Sequence, residues 1–154
     1  MTTAERTGLM LRIARDLRAL HASLDRLDEA AAGALAISRN DWRALALVAR
    51  SGALPAGFLA RQLHLTSGAM TTLLDRMEDK GLVHRGVDPH DRRRVVVYVA
   101  ADGAARERKL FGTLARESAK WLARQRARDL AVIADFLAHA RSAADAARAH
   151  VEER

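Results

Sequence analysis

Residues 63–103 read LHLTSGAMTTLLDRMEDKGLVHRGVDPHDRRRVVVYVAADG, and this stretch decides the fold. Thr66 is a helix cap. Met70, Leu73, Leu74 and Met77 behind it are spaced as one face of a helix running from Ser67 to Lys80. Gly81 stands where a left-handed stop is expected. The period then changes from helical to alternating. Leu82 to Val87 and Arg94 to Val99 are short segments rich in β-branched and aromatic residues. The turn cluster Asp88-Pro89-His90-Asp91-Arg92-Arg93 separates them. The pattern is a helix followed directly by a two-stranded hairpin with a cationic tip.

Upstream, Pro55 suits the first turn of a short helix whose apolar positions are Phe58, Leu59 and Leu63. Before it, Ser38 stands three residues ahead of Asp41, a capping-box start for a helix carrying Trp42, Leu45, Leu47 and Val48 and ending near Ser51-Gly52. Residues 8–32 form one long amphipathic helix, with Leu9, Ile13, Leu17, Leu20, Leu24 and Leu27 on one face. Beyond Asp102 the chain is helical again. One segment carries Leu110, Leu114, Trp121 and Leu122, and another carries Leu130, Ile133, Phe136 and Leu137, continuing to Val151. The polar run from Ala123 to Arg128 is either a bend between two helices or part of one straight helix.

Composition narrows the function classes. The 154 residues suffice for one domain with appended helical arms. The absence of cysteine excludes disulfide scaffolds, thiol nucleophiles and cysteine-ligated zinc. No apolar run spans a bilayer and no secretory leader is evident, so a cytoplasmic protein with no membrane partner is expected. Aromatic residues are only 4%, too few for a base-stacking single-strand binder. The net charge is +7, unevenly placed. Residues 38–100 hold ten basic against six acidic side chains, residues 101–128 eight against three, and residues 129–154 three against five. The excess lies on and just after the helix–hairpin stretch, where it favours a polyanion.

Two helices joined by a tight turn, then a hairpin, form a winged helix-turn-helix. A B-DNA major groove, about 12 Å wide, admits one helix, which a partner helix must hold across the backbone. The small residues at the start of the second helix, Ser67, Gly68, Thr71 and Thr72, permit close approach, and the helix N-terminus favours phosphate. Arg76, one turn further on, reaches a base or a phosphate. Arginines at the hairpin tip fit a narrow minor groove.

The run Leu63 to Val83 resembles the recognition helix of the MarR family of bacterial transcription regulators. Asp88-Pro89-His90-Asp91-Arg92-Arg93 closely resembles that family's wing signature, and Val99-Ala100-Ala101-Asp102-Gly103 resembles the entry to its next helix. The resemblance runs in order over residues 38–110. It implies a mostly helical α+β fold with a small β wing, in which residues 38–100 form the winged helix-turn-helix DNA-binding domain. Residues 1–37 and 101–154 would form a helical dimerisation region. It also implies an obligate homodimer, a pseudo-palindromic double-stranded DNA operator, and a small-molecule effector that weakens binding. Carried over residue by residue, Ser67, Gly68, Thr71, Thr72 and Arg76 match recognition-helix positions, and Arg92 and Arg93 match the wing. Asp91 would brace the wing arginines by a charge-assisted hydrogen bond. Ala100 departs from the pattern, which has threonine there, so the following helix lacks that cap or takes it from Asp102.

The apolar stripes at residues 9–27 and 130–151 are expected to be buried between subunits. Two recognition helices would then stand about 34–36 Å apart, over half-sites one DNA turn apart. Trp42 and Trp121 are expected as core or dimer anchors. An effector pocket is expected between the long helices and the DNA-binding domain. The six histidines are scattered with no ligand spacing, so no metal and no cofactor are expected. No nucleophile elbow, phosphate loop or zinc-protease motif occurs, which argues against an enzyme. Two other classes share some of these features. One is a non-specific or architectural DNA binder. The other is a ligand or metal sensor without DNA binding.

Overall fold

The computed structural model describes residues 1–87, 91 and 94–152. Helix α1 runs Thr3–Ala34. Its start precedes the expected one because the Thr2 hydroxyl accepts from the Glu5 amide at 3.2 Å while the Glu5 carboxylate accepts from the Thr2 amide at 2.6 Å. At its far end Ala36 takes φ 51°, and the Ile37 amide donates back to the Ala32 carbonyl at 3.0 Å. Helix α2, Arg39–Ser51, opens with the expected Ser38–Asp41 capping box and buries Trp42, Ala44, Leu45 and Val48. The Trp42 indole donates to Asp28 Oδ1 at 3.0 Å, tying α2 to α1.

The chain then forms β1, Ala53–Pro55, a strand that the sequence pattern did not suggest. Pro55 consequently precedes helix α3, Ala56–Gln62, instead of lying in its first turn. Leu59 and Leu63 are buried as expected, whereas Phe58 is exposed. The turn after α3 has His64 at φ 54°, with the Leu65 amide donating to the Ala60 carbonyl at 2.9 Å. Helix α4, Ser67–Asp79, is capped by Thr66, whose hydroxyl accepts from the Ala69 amide at 3.2 Å. It ends as expected at Gly81, φ 66°, where the Leu82 amide meets the Met77 carbonyl at 2.9 Å.

Strands β2, Val83–Val87, and β3, Val95–Val99, form the expected hairpin. The sheet has three antiparallel strands in the order β1-β3-β2, with Leu54 opposite Val97 and Arg85 opposite Val97 on its other side. Met70, Leu73, Leu74 and Met77 of α4 are buried in one core with Leu45, Val48, Leu59, Leu82, Val83, Val96 and Val97. Each such side chain contributes about 1.5–3 kcal/mol of transfer free energy. That core fixes which face of α4 is left outside.

Helix α5, Ala101–Leu122, starts without a threonine cap: the Ala100 carbonyl accepts from the Ala104 amide at 2.9 Å, and Asp102 lies in the first turn. The Ala100 amide donates to the Leu82 carbonyl at 3.0 Å. Gly103 packs so closely on that carbonyl that a Cβ would lie 2.1 Å from it. Residues 123–126 break the helix, so the polar run is a bend, and α6 follows as Ala127–Glu152.

The chain divides into two units, Met1–Leu110 and Phe111–Arg154. In the first, Leu9, Ile13, Leu17, Leu20 and Leu24 of α1 are 37–47% exposed. In the second, Trp121, Phe136, Leu137 and Val151 are exposed. Trp42 is thus a core residue, and Trp121 is not.

Candidate nucleic-acid interface

The buried stripe of α4 leaves Ser67, Gly68, Ala69, Thr71, Thr72, Asp75 and Arg76 on the outside. The expected small residues therefore share one solvent-facing surface. The Thr71 and Thr72 hydroxyls donate back to the Ser67 and Gly68 carbonyls at 3.0 and 3.2 Å. Both side chains are thereby held to a single arrangement.

Arg76 has an internal partner that the sequence reading did not supply. Its Nη2 donates to Asp41 Oδ1 at 2.6 Å and its Nε to Asp41 Oδ2 at 3.2 Å. The Asp41 side chain is 1% exposed and that of Arg76 47%. Burial pushes the Asp41 carboxyl up. The Arg76 guanidinium and the Ser38 amide and hydroxyl together outweigh this and hold it below its ordinary value. Asp41 in turn raises Arg76. A fully buried carboxylate stripped of its cation costs about 3–5 kcal/mol. Even discounted for the half-exposed guanidinium, this rivals the roughly 1–3 kcal/mol of a bidentate base contact. The pair therefore fixes α4 against α2 and restrains Arg76 from turning toward a base.

A second arginine joins α4 to the sheet. Arg85 Nη1 donates to Glu78 Oε2 at 2.6 Å, and its backbone amide to Glu78 Oε1, also at 2.6 Å. Its Nη2 donates to Asp75 Oδ1 at 2.6 Å and to the Thr71 carbonyl at 3.0 Å. One guanidinium thus spans nearly two turns of α4 from β2. Nothing in the local pattern marked Arg85, whose partners lie seven to fourteen residues away along the chain. On the sheet, His84 stacks on Tyr98, ring centroids 5.2 Å apart and 11° from parallel. A Cβ on Gly86 would lie 2.8 Å from the Tyr98 ring.

At the wing, Asp91 pairs with Arg94, Oδ2 to Nε at 3.1 Å. Arg92 and Arg93, the expected groove-entering arginines, lie outside the described residues. An open groove of about 640 Å³ runs between Pro55–Phe58 and Val95, with Arg61 and Arg94 on its walls. A smaller one of about 260 Å³ lies between α3, Thr71 and Arg85. Among the described residues no group of three His, Asp or Glu is placed to hold a metal, and no helix is long and apolar enough to cross a membrane.

A family model described as "MarR family" matches residues 37–95. An uncharacterised HTH-type transcriptional regulator of Bacillus subtilis, YcgE, is 34% identical over 90 residues, covering 58% of this chain and 58% of that protein. The HTH-type regulator Mb0904 of Mycobacterium bovis is 33% identical over 117 residues, covering 76% of this chain and 77% of that one. The chain thus spans somewhat over half the length of YcgE and about three quarters of Mb0904. Among solved structures, a MepR mutant of S. aureus superposes with TM-score 0.67 at 16% identity, covering 85% of this chain and 96% of that one. A MarR mutant of E. coli complexed with operator DNA superposes with TM-score 0.52 at 23% identity, covering 86% and 96%. At these identities the two structures establish the winged-helix fold.

Proposed function

The chain belongs to the MarR family, and on that premise we propose that it is a sequence-specific transcriptional regulator that binds double-stranded DNA as a homodimer. The observation that carries this reading is the fastening of β2 to α4 through Arg85, which sets the β2–β3 hairpin beside an exposed helix face of small residues. That pairing matches the two grooves of a duplex. Ser67, Gly68, Thr71 and Thr72 meet the major groove, and Arg92 and Arg93 the minor groove. Arg76 positions α4 through Asp41 while keeping its Nη1 for a phosphate. Asp91 braces the wing through Arg94.

The exposed apolar stripe of α1 supports the dimer. Five large aliphatic side chains on one helix face are costly to leave in water, and a second copy covers them. Residues 38–100 are the DNA-binding part, and residues 1–37 and 101–154 the dimerising part. We read it as a cytoplasmic repressor released by a small effector and without catalysis, a reading that its likeness to HTH-type transcriptional regulators supports.

Selection of binding sites from a random duplex pool tests the reading. A pseudo-palindromic consensus bound far more tightly than random duplex supports it. Equal affinity for all duplexes, across a salt titration, would make the protein an architectural binder.

A further inference from the structure

The major groove distinguishes base pairs by chemistry that α4 matches only in part. Guanine presents two acceptors, read by a forked donor. Adenine is read by Asn or Gln, cytosine by a carboxylate, and thymine by apolar contact with its C5 methyl. Helix α4 contains no Asn, Gln, Lys or His. Its one guanidinium, Arg76, is held through Nε and Nη2 by the buried Asp41. The Asp75 carboxylate is engaged by Arg85, as is Glu78. Of the side chains suited to guanine and cytosine, Arg76, Asp75 and Glu78 are therefore engaged inside the protein, and Asp79 stands at the far, C-terminal end of the helix.

The outward positions hold Ala69, Thr71 and Thr72. Because both threonine hydroxyls donate to the helix backbone, their hydrogens are turned inward. Methyl groups and hydroxyl lone pairs remain for the groove. Methyls pack against the thymine C5 methyl, and a lone pair accepts from the adenine N6 amine.

Resting on the reading of α4 as the recognition helix, we propose that it recognises A·T pairs, through thymine C5 methyls packed on Ala69, Thr71 and Thr72. Thymine would then be the specifying base at the centre of each half-site, with no guanine read there.

The experiment uses the full-length protein and the operator obtained by selection. Each thymine is replaced singly by deoxyuridine, which removes only the methyl, and affinity is read by fluorescence anisotropy. A five- to tenfold loss is expected at one or two positions per half-site. The Thr72→Ser variant, which keeps the hydroxyl and removes its methyl, should bind the thymine and deoxyuridine operators with more nearly equal affinity. An operator indifferent to deoxyuridine, but weakened by 7-deazaguanine under α4, would overturn the proposal and leave DNA recognition standing. Failure to retain any duplex, specific or not, would overturn the DNA-binding reading itself.

Discussion

Asp41, the N3 residue of α2, lies 35 positions before Arg76 and accepts from its guanidinium through both carboxylate oxygens, at 2.6 and 3.2 Å. The same carboxylate accepts from the Ser38 amide at 3.0 Å. One buried charge therefore closes the start of one helix and orients the far half of another.

Replacing that charge should be expensive and pH-dependent. Asp41→Asn is expected to lower stability by about 2 kcal/mol, less than for a fully enclosed pair because Arg76 is half exposed. The folded-state carboxyl titrates below its unfolded value of about 3.9. Its contribution is therefore fully present above about pH 4 and is lost as pH falls through the lowered folded value. Urea unfolding of wild type and Asp41→Asn should show a constant gap near neutrality that narrows in acid. A gap that persists unchanged below pH 3 would contradict the ion pair.

Arg85 is expected to matter for binding more than for folding. Arg85→Ala removes three side-chain hydrogen bonds from β2 to α4, those to Glu78, Asp75 and the Thr71 carbonyl, and keeps only the backbone amide bond to Glu78. The wing would lose its fixed position, and affinity for the selected operator should fall about ten- to thirtyfold, corresponding to about 1.4–2 kcal/mol. Arg85→Lys should rescue little, since an ammonium cannot span Glu78 and Asp75 as a fork does. Anisotropy titrations on both variants, with unchanged circular dichroism, check this.

The wing arginines should act on every duplex alike. Arg92→Ala and Arg93→Ala are each expected to weaken specific and random DNA together. Each should lower the slope of log K against log salt by about 1 per lost contact. A loss confined to the specific sequence would mean that they read bases instead.

On α1, Leu17 is 38% exposed amid the apolar stripe. Leu17→Glu is expected to leave a folded protein that sediments as a monomer and binds a full operator at least a hundredfold more weakly. An unchanged sedimentation coefficient would move the dimer seam elsewhere.

Local order was legible in the sequence, and non-local pairing was not. The cap at Thr66, the stop at Gly81 and the Ser38–Asp41 box are written in neighbouring residues, and the structure has each of them. The Thr2–Glu5 box was equally available, which is why α1 begins earlier than its apolar stripe. Strand β1 was invisible because Ala-Leu-Pro has no alternation; only its register with Val96–Tyr98 makes it a strand. The partners of Arg76 and Arg85 were hidden for a related reason. Arg76 pairs with Asp41, which is buried on another helix and 35 residues away. The exposure of Ser67, Gly68, Thr71 and Thr72 on one side of α4 was thus legible in the helical spacing, and the internal fastenings of that helix emerged only from packing.

The sheet's two outer strands carry a further consequence. β1 ends at Pro55, which has no amide hydrogen to offer, and β2 is five residues long with His84, Arg85 and Gly86 at its centre. Neither border invites another chain to extend the ladder. Self-association is steered away from strand stacking, so a protein that displays leucines along a whole helix still has a route to finite pairing instead of fibres.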